Sequence, residues 1–205
     1  MKAKKILFII MFWVVSCTWG IIMTLIGALV TLVLMCCGKK PKKFGWDIYI
    51  IVGKGWGGLE FGPFFFTDSE DNYETKCHEH GHGFQNCYLG PLFPLLVGLP
   101  SAARYWLREM DTQKKKKLFS CLLLLCIVIV FGAIIVLGIV FSVIPLIIIA
   151  SAIVCYGVAL WVWLLFIETP KYENNKYVDY DAFWAEGDAT ERGTNFMKSF
   201  QQREH

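Results

Sequence analysis

The sequence predicts an α-helical membrane protein that carries a small α+β unit at one membrane face. Apolar side chains make up 56% of the 205 residues and the mean hydropathy is positive, which is more apolar than an ordinary soluble domain. Two blocks without a charged residue, 6–37 and 118–167, concentrate this apolar content. Between them lies a polar stretch with strand-like and helix-like patterns and three histidines at alternate positions.

The first block belongs to a predicted transmembrane segment at residues 1–38. It is longer than the about 20 residues that one span needs, and short for a hairpin of two spans. We expect one tilted or overlong span, with a re-entrant or hairpin-like path as the alternative. The basic residues are the reason for the alternative. Lys4 and Lys5 precede the block and Lys39 and Lys40 follow it. Because lysine favours the cytoplasmic side, a single span would leave one of these pairs on the exported side.

The second block, 118–167, is long enough for a transmembrane helical hairpin. Pro145 follows a short polar break in the apolar run and predicts the turn, because proline ends or kinks a helix. The turn carries no charge, whereas Arg108 and the lysines at 114–117 precede the block. By the distribution of basic residues, segments 39–117 and 168–205 therefore face the cytoplasm.

Residues 39–117 predict a β-hairpin, a helix and an interfacial segment, in that order. Stretches 44–52 and 59–66 are rich in β-branched and aromatic residues and flank a glycine-rich turn at 53–58. A helix is expected from Thr75, as its N-cap, to Leu89. The apolar run 89–99 contains Pro91 and Pro94 and is too short to span, so it predicts a re-entrant or interfacial segment.

The stretch CHEHGHGFQNC at 77–87 contains the main candidate for a metal site. If it is helical, His78 and His82 share one face and Glu79 lies about 100° round the axis. This is the H-E-x-x-H arrangement, in which two imidazoles bind zinc and the glutamate acts as general base. If it is a strand, all three histidines share a face and indicate a different metal site. In the helix, His80 points to nearly the opposite side from His78 and His82, and we expect it to be either substrate-facing or exposed.

A third ligand is needed, and the sequence offers one in the segment 168–205. The metzincin extension is excluded, because Gln85 and Tyr88 stand where it requires glycine and histidine. The gluzincin alternative takes a glutamate from a later helix, and Glu186 fits it, with Asp188 or Thr190 able to hydrogen-bond a ligand. The charge distribution puts both segments on the same side of the membrane independently of any metal.

Four further side chains are candidates for the second shell of the site or for substrate contact. Gln85 lies one helical turn after His82. Tyr180 or Tyr88 is able to stabilise an oxyanion, or simply packs. Arg104 is suited to a substrate carboxylate or lipid phosphate, with snorkelling to the membrane surface as the alternative.

Four stretches together resemble a family. They are CHEHGHGFQN (77–86), LGPLFP (89–94), LPSAARYW (99–106) and YDAFWAEGDAT (180–190). The chain resembles small bacterial integral membrane proteins that look like minimal gluzincin-type zinc metallopeptidases, over roughly residues 39–108 and 177–195. The resemblance implies a β-hairpin beside an H-E-x-x-H helix and a later glutamate helix, with zinc on His78, His82 and Glu186 and with Glu79 as base. Thr190 departs from the aspartate common in that pattern.

These observations lead to one expected function and two alternatives. We expect a membrane-embedded zinc metallopeptidase of a bacterial inner membrane, multi-pass, with its site facing the cytoplasm and a peptide or membrane protein as substrate. The alternative is a non-catalytic scaffold or interaction protein stabilised by zinc. A metal transporter is disfavoured because the two apolar blocks contain no ionisable acid or base. The lipid bilayer is the expected partner, and no nucleic acid is expected.

Overall fold

A computed structural model describes residues 2–53, 55, 57–68, 72–173 and 178–201. The chain is mostly helical (77%), with a small four-stranded sheet and two helices apolar enough to span a membrane. It divides into two compact units. Unit 1 comprises Met1–Gly98 and Tyr180–His205, and unit 2 comprises Leu99–Asp179.

Unit 1 begins with two helices, α1 (Lys2–Thr18) and α2 (Ile21–Cys36), whose axes differ in direction by 96°. The first apolar block is therefore not one straight helix: the pair is either a broken span or a re-entrant path, so the expected single span and its re-entrant alternative both stay predictions. The break falls at Gly20, where a Cβ atom would overlap the side chain of Asn86. The Thr24 hydroxyl ties the two helices together, because it donates to the Ser16 carbonyl oxygen at 2.7 Å.

The sheet of unit 1 has four strands, which lie in the order first, second, fourth, third; the second and fourth are parallel and the other neighbouring pairs are antiparallel. The expected single hairpin is wrong, because turns at Gly45 and Gly62, both with positive φ, cut the two predicted strands into four. Positions 54 and 56 of the predicted glycine-rich turn lie outside the described residues. The strands are β1 (Lys42–Phe44), β2 (Asp47–Ile51), β3 (Gly58–Phe61) and β4 (Phe64–Thr67).

The central helix of unit 1 is α3 (Tyr73–Leu89). Its predicted end at Leu89 is confirmed, but its N-cap is Asn72, whose side chain accepts a hydrogen bond from the Thr75 backbone N–H at 3.0 Å. The expected cap at Thr75 is wrong by one turn. Helix α3 contacts α1, β3 and β4 and, on another side, the C-terminal helix at Trp184–Gln201, so polar residues of α3 are buried around much of its circumference.

Helix α8 (Trp184–Gln201) follows a short 3₁₀ turn at Tyr180–Ala182. It packs along α3, so the C-terminal segment lies against the H-E-x-x-H helix. An apolar cluster of unit 1 lies where Ala185 of α8 meets Met23, Phe93 and Val97. Phe93 lies between a 3₁₀ turn at Gly90–Leu92 and a π turn at Pro94–Gly98, and Val97 lies in the π turn, so the segment predicted as re-entrant or interfacial is helical.

Unit 2 contains α4 (Leu99–Glu109), α5 (Gln113–Val140) and α6 (Ile144–Val162), which continues through a π segment, Trp163–Glu168, into α7 (Thr169–Lys171). Helix α5 and the run Ile144–Lys171 are each 28 residues long and apolar enough to cross a membrane, which is compatible with membrane association. The break predicted near Pro145 is confirmed: Pro145 lies in the first turn of α6, where its missing N–H has no helical partner to lose. Ala103, Leu107, Leu160 and Leu164 form the buried core.

Candidate metal centre

Helix α3 presents His78 and His82 on one face, one turn apart. The two Nε2 atoms are 3.1 Å apart, and the ring centroids are separated by 4.6 Å. The helical interpretation of the histidine stretch is therefore confirmed, and the strand interpretation is excluded.

Glu186, in the first turn of α8, completes the group. Its Oε2 atom lies 3.0 Å from Nε2 of His78 and 3.3 Å from Nε2 of His82. The carboxylate side chain is fully buried. His78, His82 and Glu186 are the one group of three or more potential ligands that the described part of the chain brings within metal-binding distance.

Hydrogen bonds on the far side of each imidazole fix which nitrogen carries the proton. Thr190 donates its hydroxyl hydrogen to Oδ1 of Asp181 at 3.1 Å, so its oxygen is left to accept from Nδ1–H of His78 at 2.8 Å. Nδ1–H of His82 donates to Oε1 of Gln85 at 2.8 Å. Both Nε2 lone pairs therefore point toward the Glu186 carboxylate.

This arrangement fits a four-coordinate metal ion. Tetrahedral zinc, with bonds of about 2.0–2.1 Å, places its ligand atoms about 3.3–3.4 Å apart, close to the 3.0–3.3 Å found here. Two lone pairs and a carboxylate that converge without a donor repel one another unless a positive charge lies among them. The donor set and its geometry therefore fit a divalent cation.

The pKa values of the ligands show the same need for positive charge. Burial alone would raise the pKa of Glu186, but the hydrogen bonds and charges of His78 and His82 lower it to about 2. Burial alone would lower the pKa of His82, but its hydrogen bond to Glu186 and the charges of Glu186 and Glu79 raise it to about 8. Without a metal ion, a proton on His82 would partly substitute for one.

Glu79 is buried beside the ligands, with 5% of its surface exposed. Burial raises the pKa of its carboxyl group, while the nearby histidines His78 and His82 act in the opposite direction. Strand β3 passes directly against it, because a Cβ atom on Gly58 would overlap the Glu79 carboxylate. The glycine thus leaves room for Glu79 between α3 and the edge of the sheet.

Asp188 supports the site indirectly. Gln85 donates its two amide hydrogens to the Ala185 carbonyl oxygen at 2.7 Å and to Oδ2 of Asp188 at 2.9 Å. The Tyr88 hydroxyl donates to the same Asp188 oxygen at 2.7 Å. Asp188 therefore orients Gln85, which orients His82, and the Tyr88 hydroxyl is directed to Asp188 instead of the ligand group.

Tyr180 and Arg104 have different surroundings. The Tyr180 ring lies 6.0 Å from the His78 ring, centroid to centroid, so it borders the ligand group. Arg104 belongs to unit 2, where its Nε donates to Oε1 of Glu168 at 2.5 Å and the side chain is buried. A snorkelling arginine would keep its guanidinium at the surface, so that interpretation of Arg104 is wrong.

His80 is neither exposed nor substrate-facing, and both expectations for it are wrong. The residue is fully buried, and its Nδ1 lies 2.5 Å from Oδ2 of Asp47. The rings of Phe84 and Phe196 pack against it at 4.8 and 4.7 Å. His80 thus links α3 to the start of β2, and Asp47 is a partner that sequence reasoning missed.

A stripe of small residues lets α8 approach α3 closely. Ala185, Ala189 and Gly193 recur every fourth residue on α8 and are buried. A Cβ atom on Gly81 would overlap the Ala189 carbonyl oxygen, and one on Gly193 would overlap the Cys77 carbonyl oxygen. The spacing of this stripe was available in the sequence, and so was Asp181, the acceptor for Thr190; sequence reasoning used neither.

Comparisons with known proteins find no relative of this chain. No family model matches the chain, and neither a curated protein nor a solved structure matches it.

Proposed function

We propose that this chain is a membrane-associated zinc metallopeptidase of the gluzincin type. The observation that carries the proposal is the convergence of Nε2 of His78, Nε2 of His82 and Oε2 of Glu186, with both imidazole protons on the opposite nitrogens. Glu79 supports catalysis beyond metal binding, because a structural site has no use for a buried carboxylate next to its ligands.

Zinc is the ion that suits this donor set best. Two imidazoles and one carboxylate form a ligand set found in zinc hydrolases, which keep the fourth position open for water or substrate. When bound, zinc supplies a Lewis acid that polarises a carbonyl oxygen and makes a water molecule more acidic. His78, His82 and Glu186 would hold the ion, with Thr190 and Gln85 orienting the two rings.

Glu79 is proposed as the group that moves the proton. Its carboxylate is the acidic side chain that follows His78 directly, and it lies within the electrostatic influence of all three ligands. It would accept a proton from the attacking water and hold it for transfer to the leaving amine. Burial favours this role, because a carboxylate out of bulk water binds a proton more readily.

The edge of the sheet offers a place for an extended peptide. Strand β3 is an edge strand in the order β1-β2-β4-β3. The bond from the Asp68 N–H to the Gly57 carbonyl oxygen identifies that pair as hydrogen-bonded, so the backbone groups of Gly58 and Glu60 point away from β4. A substrate strand paired with them would pass beside Glu79, by the mode of β-strand addition.

The proposed location combines charge with the apolar helices. Two helices are long and apolar enough to cross a membrane, and the lysines at 39–43 and 114–117 favour a cytoplasmic position for the segments that contain the ligands. We therefore propose the inner membrane of a bacterium as the location and a membrane-associated peptide or protein as the substrate.

Metal content and hydrolysis test the proposal together. Detergent-purified wild type, Glu186→Gln and Glu79→Gln would be analysed for zinc and then incubated with a mixture of internally quenched peptides. We expect one zinc per chain in the wild type, loss of zinc in Glu186→Gln, and retention of zinc with loss of cleavage in Glu79→Gln. A wild type without zinc, or zinc indifferent to Glu186→Gln, would overturn the metal site.

The same experiment separates the alternative of a zinc-stabilised scaffold. Zinc retained in the wild type and in Glu79→Gln, with no cleavage by either, would favour the scaffold. In that case zinc removal from the wild type would lower thermal stability without the loss of any activity.

A further inference from the structure

From residue 6 to residue 35, the helices α1 and α2 present apolar side chains outward. Leu25 and Leu29 of α2 are 62% and 63% exposed, and Leu7 and Val14 of α1 are each more than half exposed. The opposite face of α2 is buried against β3, β4 and the turn after α3. We call residues 5–36 the bent pair.

Polar side chains of the bent pair do not interrupt this outer surface. Ser16 and Thr24 are buried on the inner side, where the Thr24 hydroxyl donates to the Ser16 carbonyl oxygen. Thr18 is exposed at the bend, but its hydroxyl donates to the Val14 carbonyl oxygen at 2.7 Å. A hydroxyl bonded to its own helix is compatible with hydrocarbon, because its donor needs no water.

The 96° bend argues against a crossing. If the two axes were to carry the chain from one side to the other, at least one helix would tilt by about 48° or more from the membrane normal, beyond the range of about 0–40° for transmembrane helices. The helices have 17 and 16 residues, so each alone is about 24–26 Å long and falls short of the about 30 Å hydrocarbon core.

Charge gives an independent argument for the same conclusion. Lys2, Lys4 and Lys5 lie at the start of α1, and Lys39 and Lys40 follow α2. A crossing would place one basic cluster on the exported side, whereas basic residues favour the cytoplasmic side and the anionic lipid surface there. A path that returns to its own side places both clusters at that surface.

We infer that the bent pair is a non-crossing membrane anchor: it enters the bilayer from the side of its two basic ends, returns to that side, and contacts lipid acyl chains with its outer face. The anchor belongs to unit 1, which also contains the candidate metal centre. The inference depends on the bend, the exposed surface and the charges, and it stands whether or not zinc is bound.

Labelling from one side of the membrane tests the path. The eight native cysteines would be replaced, and a single cysteine would be introduced by Lys5→Cys or by Lys40→Cys. Each variant would be treated with an impermeant maleimide in sealed right-side-out vesicles and, separately, in sealed inside-out vesicles. Helix content and a single elution peak in detergent would establish that each variant folds. We expect both positions to react from the same side.

The straight helix α5 supplies the control. Lys114→Cys lies in its first turn and Ser142→Cys lies just past its end, so the two should react from opposite sides, which shows that the vesicles report sidedness. If Lys5→Cys and Lys40→Cys also reacted from opposite sides, the bent pair would cross the bilayer and the inference would be overturned.

A second measurement determines whether lipid contacts the outer face of the bent pair. A nitroxide at Leu29→Cys, in vesicles of phosphatidylethanolamine and phosphatidylglycerol, should relax faster with oxygen than with a water-soluble nickel complex, as in hydrocarbon. Matched nitroxides at Lys40→Cys should show the opposite preference. Preferential access of the nickel complex at Leu29 would show that water, not lipid, contacts the outer face. Spin–spin coupling between two copies, together with low oxygen access, would show that a second copy of the chain covers it instead of lipid.

Discussion

The close approach of α3 and α8 predicts that a single methyl group at Gly81 disrupts the metal centre. A Cβ atom at this position would overlap the Ala189 carbonyl oxygen, and other backbone atoms of Ala189 lie next in distance. Backbone atoms cannot rotate away as the end of a side chain can. The substitution Gly81→Ala therefore forces the two helices apart where α8 holds Glu186 against α3.

The size of the effect follows from the ligand distances. Relief of the overlap requires a separation of about 1 Å, since ordinary contacts between non-bonded atoms begin above about 3 Å. The same shift would move Oε2 of Glu186 from 3.0 Å to about 4 Å from Nε2 of His78, whereas metal–ligand distances tolerate only about 0.2 Å. We expect zinc affinity to fall at least about 100-fold, because even loss of an outer partner costs 10–100-fold, and the free energy of unfolding to fall by about 1–3 kcal/mol.

Competition with a fluorescent zinc chelator in detergent measures this affinity. Glu186→Gln provides the reference for a lost ligand, and Gly132→Ala provides the matched control, because a Cβ atom at this position of α5 has no neighbour within 4 Å. Gly132→Ala should bind zinc as the wild type does. The reasoning is refuted if Gly81→Ala has the helix content of the wild type and also its zinc affinity.

Three further outcomes are expected. Thr190→Val removes the acceptor for Nδ1–H of His78 and should weaken zinc binding about 10–100-fold, whereas Thr190→Ser should retain it; equal affinities in the two variants would contradict the role of the hydroxyl. Burial and the charges of Asp47 and Glu79 raise the pKa of Glu60 well above 4.5, so the folded state keeps a proton that the unfolded state loses. Stability should therefore decline as pH rises above about 4.5, by about 1.4 kcal/mol per pH unit until the folded pKa is reached, and denaturation of Glu60→Gln should lack this decline. Arg104→Met leaves the buried Glu168 carboxylate without its arginine and should cost about 3 kcal/mol in thermal unfolding; Gln113→Met, which loses a longer hydrogen bond of 3.3 Å in the same unit, should cost much less.

The histidine pair could be predicted from the sequence because the spacing of His78 and His82 depends only on helical periodicity. Glu186 lies far along the chain, and the gluzincin pattern of a glutamate in a later helix pointed to it. Gly81 also indicates close packing against another element, since small residues in a helix permit close approach. The structure assigns that packing to Ala189 of α8.

The sheet and the first apolar block could not be predicted, because both depend on contacts distant in sequence. The parallel pairing of Tyr49 with Phe65 is not visible in the alternation of either strand. Gly20, at the break between α1 and α2, packs against the side chain of Asn86, which lies in a helix far along the chain. His80 was misjudged for a related reason: α3 is covered on more than one side, so helical periodicity alone does not separate buried from exposed positions.

A metal ion held by His78, His82 and Glu186 would also link two helices that are distant in sequence. Helix α8 reaches α3 only after unit 2 has intervened in the sequence, and at Glu186 its fully buried carboxylate faces two imidazole lone pairs. That contact is unfavourable without a positive charge. An ion that binds these three groups only when the helices are packed stabilises the packed state by its binding free energy. The small-residue stripe brings the helices together, and a bound ion would make the polar end of their interface favourable, so metal binding and the integrity of unit 1 would depend on the same three ligands.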